Sequence, residues 1–449
     1  MRRFAPRDFE LLPESYYNLK PRLKRLPPPP LHPATGEPLS PSDLEPLFPR
    51  GFIAHEGSME REVEIPGPVR SAYSIYRPTP LVRALGLERA LDTPAEIYFK
   101  FEGVGPMGSH KSNTAIAQAF LAAEEGVTTL TTETGAGQWG SALSHAARPF
   151  GLDVRVFMVR CSFRQKPGRK TLMELCGASV VESPSHLTAT GRRYFEEDAD
   201  HPGSLGIAIS EAVEMAVEVD DVRYSLGSVL DAVMLHQSVI GQEARRQMEH
   251  FGAPPDVVVG CVGGGSNFAG LAFPFVGEML EGGGRTRFVA VEPELCPTLT
   301  RGPLGYDSGD SAGLTPLVYM HSLGRDFVPP PIHAGGLRYH GMAPLVSQLV
   351  ADGIVEPLAL GQEEVFRAGR LFLESEGVLP APESSHAVAA AIREAERARE
   401  EEARRRILLG LSGHGLLDLG AYEAPSAPAF TGRLRRGYSA LEDKELPHS

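Results

Sequence analysis

Apolar runs of strand length alternate with helical patterns from about residue 77 to residue 411. One unit joins the run Glu96–Phe101 to an alanine-rich helical pattern over 114–125, and another joins the apolar run Asp256–Val262 to a further helix. Strands that alternate with helices over this length predict parallel sheets in a three-layer α/β architecture. In such sheets ligands gather where a strand ends and a helix begins.

Bulk properties exclude several classes of function. The net charge is −13 without a basic stripe, which argues against nucleic acid as a partner. No apolar run is long enough for a membrane span, and none near Met1 resembles a signal peptide. The cysteines are scattered and lack metal-ligand spacing, so we expect no metal site and reduced thiols in a cytoplasm: Cys161, Cys176, Cys261 and Cys296.

A chain of 449 residues is long for one core, so two domains are expected. We assign residues 76–235 to a smaller α/β domain and 236–425 to a larger one, followed by a C-terminal tail at 426–449. A single long helix is predicted over 231–251. Residues 297–345 are rich in Gly, Pro and His with weak periodicity, which is typical of a functional loop or a subunit contact.

Residues 1–75 form a polar N-terminal extension that includes the proline run Pro27–Pro30. We expect this extension to wrap over the surface with little regular structure. A disordered tail is the alternative. Four aromatic residues favour docking over disorder: Phe4, Phe9, Tyr16 and Tyr17.

Lys111 lies in the turn Gly105–Asn113, between a strand and the helix that Ser112 or Asn113 can cap. Only seven of the 44 basic Lys and Arg residues are lysine. Arginine stays protonated and cannot form an imine, so a lysine here suggests Schiff-base chemistry. A solvated surface lysine is the alternative, although the positive end of a helix is a poor place for a cation.

Two further strand-to-helix junctions are rich in glycine. Consecutive glycines in Gly263–Asn267 let several backbone N–H groups point at one anion, which predicts a phosphate cup. The loop Thr132–Gly140 can bind a carboxylate through its N–H groups and the Thr134 hydroxyl. Glu133 would repel that anion unless it shuttles protons. A turn without a ligand and a glutamate that merely favours a helix start are the alternatives.

Two weaker signals complete the set. Ser412 follows the last apolar strand, where its hydroxyl could hydrogen-bond a ring nitrogen. Glu383 precedes a helix, where an ordinary first-turn acid is the simplest interpretation. A Schiff-base lysine, a phosphate cup, a carboxylate loop and a ring-nitrogen partner are together the contacts that pyridoxal phosphate carrying an amino acid requires.

Four stretches resemble the tryptophan synthase beta chain family as a set: G-S-H-K-S-N, T-E-T-G-A-G-Q-W-G, G-G-G-S-N and L-S-G-H-G. The resemblance extends over about 77–422. The N-terminal extension and Trp139 are more similar to the longer second type of the family, whose main type has histidine there. Met107 replaces the usual threonine, so we expect altered packing at the turn and unchanged chemistry.

The resemblance implies the fold of the second class of pyridoxal-phosphate enzymes, with the cofactor between two three-layer α/β domains. It implies Lys111 as the Schiff-base lysine, in the smaller domain, and Glu133 as the general acid–base. The implied cofactor contacts also include His110, Asn113, Gly263, Gly264, Gly265, Ser266, Asn267, Glu383 and Ser412. The implied loop for the substrate carboxylate consists of Thr134, Gly135, Ala136, Gly137 and Gln138.

The implied reaction is the β-replacement that forms L-tryptophan from indole and L-serine or an activated serine. A serine/threonine dehydratase or a cysteine synthase is the runner-up, but those families typically carry a Ser/Thr-Gly-Asn loop without a residue like Glu133. A non-catalytic protein that has kept the fold is a third possibility, against which the presence of Lys111 and Glu133 argues. The resemblance also implies a homodimer, and we expect only weak binding of an alpha chain.

Overall fold

The computed structural model describes residues 11–252 and 254–423, which contain fourteen strands and eighteen α-helices. The strands are β1 (Ser15–Tyr17), β2 (Glu62–Glu64), β3 (Leu81–Arg83), β4 (Glu96–Phe101), β5 (Thr129–Thr134), β6 (Asp153–Val159), β7 (Ser179–Ser183), β8 (Val222–Tyr224), β9 (Val257–Cys261), β10 (Arg287–Pro293), β11 (Leu304–Ser308), β12 (Leu317–His321), β13 (Val355–Leu360) and β14 (Arg406–Leu411).

The helices fill the intervals between the strands. They are α1 (Pro41–Leu44), α2 (Arg50–Gly57), α3 (Gly67–Tyr73), α4 (Leu85–Leu91), α5 (Ser112–Glu124), α6 (Gln138–Ala147), α7 (Arg160–Gln165), α8 (Pro167–Leu175), α9 (Ala189–Glu197), α10 (Leu205–Glu218), α11 (Asp231–Gln237), α12 (Val239–Glu249), α13 (Ser266–Leu280), α14 (Thr298–Arg301), α15 (Pro344–Ala351), α16 (Gln362–Glu376), α17 (Ser384–Glu400) and α18 (Leu419–Tyr422). No helix of the described ranges is long and apolar enough to cross a membrane.

The larger of the two main sheets has six strands, in the order β13-β10-β9-β14-β4-β3. All neighbours are parallel except β3, which pairs antiparallel with β4 at the edge. Val258 and Tyr98 lie on either side of Leu408 in the register, and all three are buried. Such continuous burial is typical of parallel strands whose two faces are covered by helices.

A second sheet has four parallel strands in the order β7-β6-β5-β8. Glu133 lies opposite Phe157 of β6, near the carboxyl end of β5. The short strand β8 forms one edge, and Tyr224 pairs there with Thr131. Both sheets therefore direct the carboxyl ends of parallel strands toward loops that carry the predicted site residues.

The division into domains that we predict from sequence differs from the sheet pairing at one place. We placed β3 and β4 in the smaller domain, but β4 pairs with β14 in the six-stranded sheet. The chain crosses between the sheets at the turn before α5. Alternation of strands and helices along the sequence cannot reveal this, because it does not say which strands become neighbours.

Two predicted segments are wrong in detail. The long helix over 231–251 is two helices that meet at Ser238, whose hydroxyl accepts a hydrogen bond from the backbone N–H of Tyr17 at 2.8 Å. The irregular region 297–345 contains the antiparallel hairpin β11–β12, in which Tyr306 lies opposite Tyr319. The contact between Tyr17 and Ser238 is distant in sequence, whereas the hairpin joins two strands that follow one another in the chain.

The N-terminal extension is more regular than predicted, since its described part holds β1, β2, α1, α2 and α3. Docking is confirmed for Tyr16 and Tyr17, which are 0% and 7% exposed. The Tyr16 hydroxyl lies 3.2 Å from that of Tyr73, which in turn donates to the Asn113 carbonyl at 2.6 Å. Phe4 and Phe9 lie outside the described residues. The extension therefore packs against the start of the helix that follows Lys111.

Candidate active site

One cavity lies where the carboxyl ends of β5, β9 and β14 meet the start of α5, with a free volume of about 170 Å³. This is several times the space that one water occupies, so a small organic molecule fits. Most of the predicted site residues line it: His110, Lys111, Glu133, Thr134, Gly135, Ala136, Gln138, Gly263, Gly264, Gly265, Ser266, Asn267, Glu383 and Ser412. Asn113 and Gly137 do not.

Lys111 immediately precedes α5, and its Nζ donates a hydrogen bond to the Gly227 carbonyl at 3.2 Å. Burial lowers the pKa of Lys111 to about 8, although the carboxylates of Glu133 and Glu383 act in the opposite direction. A lysine with this pKa has a sizeable neutral fraction near neutral pH. The neutral amine is the nucleophilic form that an imine requires.

The turn before Lys111 needs a residue without a side chain at Gly108. Its φ is +76°, and a Cβ there would lie 2.3 Å from Nε2 of His414. Met107 also has a positive φ, of 61°. Because left-handed backbone conformations are unfavourable for residues with a Cβ, the surrounding structure must hold Met107 in place.

The glycine-rich loop Gly263–Asn267 leaves no space for side chains on its first residues. A Cβ at Gly263 would lie 2.6 Å from the Gly336 carbonyl, and one at Gly264 would lie 2.5 Å from Ser228 Oγ. The loop lines the cavity at the start of α13, where the first N–H groups of a helix have no partner within the helix. The phosphate cup stays a prediction.

His110 connects this cup to the last strand of the larger sheet. Its Nε2 lies 3.2 Å from Ser266 Oγ, and its backbone N–H donates to the Ser412 carbonyl at 2.9 Å. Burial and the charge of Lys111 lower the pKa of His110 to about 3. The ring is therefore neutral and carries one N–H, which either donates to the Ser412 carbonyl, 3.3 Å from Nδ1, or lies on Nε2 toward Ser266 and the cup.

The loop between β5 and α6 places Thr134, Gly135, Ala136 and Gln138 on the cavity wall. The Thr134 oxygen accepts hydrogen bonds from the backbone N–H groups of Gly137 and Gly140, both at 3.2 Å. The hydroxyl hydrogen of Thr134 remains free to donate. The loop can thus offer a hydroxyl and backbone donors to a carboxylate.

Glu133 is 6% exposed and accepts a hydrogen bond on Oε2 from the Tyr224 hydroxyl at 2.5 Å. Burial raises the pKa of Glu133 to about 7, and the hydrogen bond from Tyr224 and the charge of Lys111 oppose this rise. A carboxyl group with a pKa near neutrality can both give and take a proton at physiological pH. The alternative, a glutamate that only favours a helix start, does not account for this burial.

The Ser412 hydroxyl has neutral hydrogen-bond partners in the part of the chain that the structure describes. Its hydroxyl lies 2.7 Å from Ser384 Oγ and 3.6 Å from Cys261 Sγ. Burial raises the pKa of the Cys261 thiol to about 12, so this sulfur is uncharged near neutral pH. The position can exchange a hydrogen bond with a ligand without supplying a charge.

Asn113 lies in the interior beneath the cavity. Its amide group donates to Gln237 Oε1 at 2.9 Å and accepts from Arg77 at 2.7 Å and from Tyr76 at 2.9 Å. These bonds occupy the side chain, so we replace the predicted ligand contact with a role in supporting the start of α5. Packing sets the rotation of α5 that turns the Asn113 side chain inward, and the local sequence motif does not contain this information.

Sequence analysis missed several residues of the cavity wall. Tyr224 ends the three-residue strand β8, and Gly227 and Ser228 come shortly after it; so short a strand carries no clear periodicity. The N-terminal extension also contributes apolar residues that sequence analysis did not connect with the site: Pro30, Leu39, Leu44, Leu47, Phe48, Phe52 and Ile53. The apolar residues concentrated at 44–53, within an otherwise polar segment, were the sequence signal that could have indicated this contact with the site.

Comparison with known families places these motifs in context. Residues 73–413 match a family model described as pyridoxal-phosphate dependent enzyme. A protein of Aeropyrum pernix named tryptophan synthase beta chain 2 is 58% identical over 418 residues, which cover 92% of this chain and 93% of the relative. Proteins of the same name are 57% identical in Thermotoga maritima, with 92% and 98% covered, and 54% identical in Pyrococcus furiosus, with 98% and 96% covered.

Two solved structures share the fold at low sequence identity. A fungal L-serine ammonia-lyase from Rhizomucor miehei has a TM-score of 0.55 and 17% identity, and covers 77% of this chain and 96% of its own. O-acetyl serine sulfhydrylase isoform 3 from Entamoeba histolytica has a TM-score of 0.56 and 18% identity, with 80% and 92% covered. At this level of identity the similarity concerns the fold alone.

Proposed function

This chain belongs to the tryptophan synthase beta chain family of pyridoxal-phosphate-dependent enzymes, and from that premise we propose how its residues divide the reaction. The predicted resemblance and the predicted α/β fold of the second pyridoxal-phosphate class are confirmed. The chain binds pyridoxal phosphate and is a lyase of tryptophan biosynthesis that forms L-tryptophan from indole and L-serine or an activated serine. The dehydratase and cysteine synthase alternatives are not favoured.

The residues of the cavity fit pyridoxal phosphate. The cup Gly263–Asn267 lines the cavity at the start of α13, where the first N–H groups of a helix have no partner within the helix, and the His110 ring lies 3.2 Å from Ser266 Oγ beside it. We assign the phosphate to this cup and to His110, the aldehyde carbon to Lys111 and the ring nitrogen to Ser412. When bound, the cofactor withdraws electrons from the amino acid, so the α-proton becomes acidic and the β-substituent can leave.

Lys111 takes two tasks in this assignment. Its amine, whose neutral form is favoured by the lowered pKa of about 8, would hold the cofactor covalently when the cofactor is bound. When the amine is free, it would serve as the base that takes the α-proton of the amino acid. The Gly227 carbonyl, which accepts from Nζ at 3.2 Å, holds the lysine chain at the cavity wall.

Glu133 handles the protons on the other side of the substrate. Protonated, it gives its proton to the departing β-hydroxyl. Ionised, it takes the proton that indole loses as its C3 forms the new bond. Both forms are populated because the pKa of Glu133 is raised by burial to about 7. The buried carboxyl of Glu133, in one cavity with Lys111 and the cup, is the observation that carries this proposal.

Ser412 leaves the ring nitrogen without a charged partner. A carboxylate in its place would hold that nitrogen protonated and draw charge into the ring, whereas the Ser384 and Cys261 neighbours of Ser412 are neutral. Less charge delocalised into the ring favours β-elimination over transamination. The serine thereby supports the reaction type of the family.

The apolar part of the cavity suits indole, which is uncharged and largely apolar. Its wall includes Trp139, Leu205, Ile209, Leu226 and Val318. Trp139 is 4% exposed and donates from its indole nitrogen to Thr132 Oγ1 at 2.6 Å, so its ring is held by the fold. Exclusion of water from this space protects the reactive substrate from hydrolysis before indole attacks.

Glu133→Ala tests the proposal. We expect the purified variant to keep its visible cofactor absorbance but to lose about 10²–10⁴-fold in tryptophan formation, the usual contribution of a general acid–base. Glu374→Gln, which removes an exposed carboxylate on α16, is the matched control. Nearly full activity of Glu133→Ala would return Glu133 to an ordinary helix-start residue.

Phosphoserine is a second candidate for the donor, because positive charge lies behind the carboxylate loop. Lys166 and Arg169 both bind Asp418, at 2.6 and 3.0 Å, and Arg169 packs beside Gly137. Arg169 Nε and Nη1 have no hydrogen-bond partner within the described part of the chain. A phosphoryl group is a strong acceptor for such donors. Arg169→Gln should then lower kcat/KM for phosphoserine more than for serine, and an equal loss would favour serine.

We propose further that the protein is a cytoplasmic homodimer. All four cysteines lie in the described residues as free thiols, which fits a reducing compartment. The family resemblance is the support for the homodimer. Light scattering of the eluting protein should give twice the mass of one chain.

We expect only weak association with an alpha chain, because the extension occupies one side of the molecule. A stable complex with an alpha chain at micromolar concentration would contradict this.

A further inference from the structure

Tyr224 is a buried tyrosine beside the proposed acid–base. It ends the edge strand β8, is 3% exposed, and its hydroxyl lies 2.5 Å from Glu133 Oε2 on the neighbouring strand. Burial and the charge of Glu133 raise the pKa of Tyr224 well above its usual value. The phenol is therefore protonated at every pH where the protein works, and it donates to the carboxylate.

The N-terminal extension holds Tyr224 on its other side. The backbone N–H of Tyr224 donates to the Leu47 carbonyl at 2.8 Å. The ring of Phe48 lies 5.8 Å from the ring of Tyr224, and Phe52 stacks on Phe48 at 5.0 Å. These extension residues also line the cavity. The extension thus continues the edge of the sheet and supports the tyrosine ring.

We propose that Tyr224 is a positioning residue for Glu133, and that the N-terminal extension fixes Tyr224 through Leu47 and Phe48. This inference rests on the proposed role of Glu133. It gives the extension a function inside the active site, in addition to any effect on the outer surface of the molecule.

Three ionisable groups face Glu133 from the elements around it. Lys111 lies at the start of α5, Tyr224 on β8, and Tyr339 in the loop before α15, where burial and the charge of Glu133 raise the pKa of Tyr339. Of these, only Tyr224 is hydrogen-bonded to the carboxyl group among the described residues. Removing its hydroxyl leaves a backbone hydrogen bond of Glu133 and the charge of Lys111 as the influences that favour the ionised form of Glu133.

Tyr224→Phe is the direct test, because it keeps the ring and removes the donor. With serine saturating, kcat/KM for indole should fall as Glu133 becomes protonated, with a midpoint near pH 7 in the unaltered protein. In Tyr224→Phe we expect this midpoint to move upward by about one pH unit, and the activity at pH 7 to fall by about fivefold. Tyr98→Phe is the control. It removes a comparable buried hydrogen bond of 3.2 Å, from Tyr98 to Glu96, which lies outside the cavity, and it should leave the pH profile unchanged.

An infrared measurement gives a readout that is independent of activity. The carbonyl band of the protonated Glu133 carboxyl, identified by its loss in Glu133→Gln, should titrate near pH 7 in the cofactor-free full-length protein. The band should titrate at higher pH in Tyr224→Phe. Phe48→Leu should produce a smaller shift in the same direction, and it also supplies the test if Tyr224→Phe does not fold.

The outcomes separate the two proposals. In the first outcome, Tyr224→Phe and Phe48→Leu both match the unaltered protein in the pH profile and in the infrared band, while Glu133→Gln is impaired. Tyr224 then has no positioning role, and Glu133 keeps its role as acid–base. If Glu133→Gln is fully active, the role of Glu133 itself fails. If only Phe48→Leu is without effect, the support from the extension is wrong and the bond from Tyr224 stands.

Discussion

Gln138 donates a hydrogen bond from its side-chain amide to Glu383 Oε2 at 3.0 Å, at the wall of the cavity. The other carboxylate oxygen, Oε1, accepts from the backbone N–H of Gly336 at 2.8 Å. Gln138 begins α6 beside the four-stranded sheet, whereas Glu383 precedes α17, which covers the six-stranded sheet. Glu383 therefore ties the substrate-carboxylate loop to the larger half of the molecule.

Substitution of Glu383 should weaken substrate binding. Glu383→Ala leaves two buried donors without an acceptor, each worth about 1.5–3 kcal/mol when the acceptor is charged. We expect kcat/KM for serine to fall at least about tenfold. Glu383→Gln keeps one acceptor oxygen and should lose less. Steady-state kinetics measures this loss. An unchanged kcat/KM in Glu383→Ala would show that the hydrogen bonds of Glu383 do not contribute to substrate binding.

Lys111 should be the residue to which the cofactor is fixed by borohydride. The other described lysines near the site are engaged elsewhere: Lys100 binds Glu243 at 2.7 Å in the interior, and Lys166 binds Asp418 at 2.6 Å. Reduction followed by peptide mapping should place the label on Lys111 alone. A label on Lys100, Lys166 or Lys170 would refute the assignment.

The reactivity of Lys111 should depend on pH in the cofactor-free protein. Because burial lowers the pKa of Lys111 to about 8, its amine loses the proton at lower pH than an ordinary lysine. Trace acetylation of Lys111 should therefore rise through about pH 8 and level off above it. The exposed Lys170 serves as the reference within the same digest. A rate that continues to rise up to pH 10 would contradict the lowered pKa.

Sequence analysis predicted the chemical motifs because each lies in a short contiguous stretch. The strand Glu96–Phe101 and the helix after the turn carry their own periodicity and form close to the predicted places. The predicted cap is wrong, because α5 already starts at Ser112 and Lys111 occupies the N-cap position without a side-chain cap bond. The residues assigned to the phosphate cup and to the carboxylate loop stay predictions as to role, although the structure brings nearly all of them to one cavity.

Features that depend on tertiary contacts could not be predicted in this way. Tyr224 reaches Glu133 only because β8 becomes the edge neighbour of β5, and three residues carry no signal of that pairing. Ser238 interrupts a helical pattern because Tyr17, far away in sequence, binds its hydroxyl. The apolar residues Phe48 and Phe52 indicate that the extension packs against the protein, but the sequence does not show which part of the protein they contact.

A buried ion network supports the start of α5 from below. Arg77, with a fully buried side chain, lies between Glu102 and Glu243, at 3.0 and 2.8 Å, and also donates to Asn113. Lys100 binds Glu243 from the other side. Burial alone would raise the pKa of Glu102, but the charges of Arg77 and Lys100 bring it down to about 2. The network is balanced, with two cations and two carboxylates.

Glu102→Gln should destabilise the fold by about 3–5 kcal/mol, because removing one partner of a buried pair leaves the other charge uncompensated. Glu364→Gln, which breaks the exposed pair with Arg393, should cost only about 0–1 kcal/mol. Since the pKa of Glu102 is lowered in the folded state, its contribution is complete above the ordinary value of 4.5 and is lost as the pH falls toward about 2. Urea unfolding at pH 7 and at pH 3 should therefore show a smaller difference between Glu102→Gln and the unaltered protein at the lower pH. A difference that stays constant between these pH values would mean that the charge of Glu102 contributes nothing to the stability.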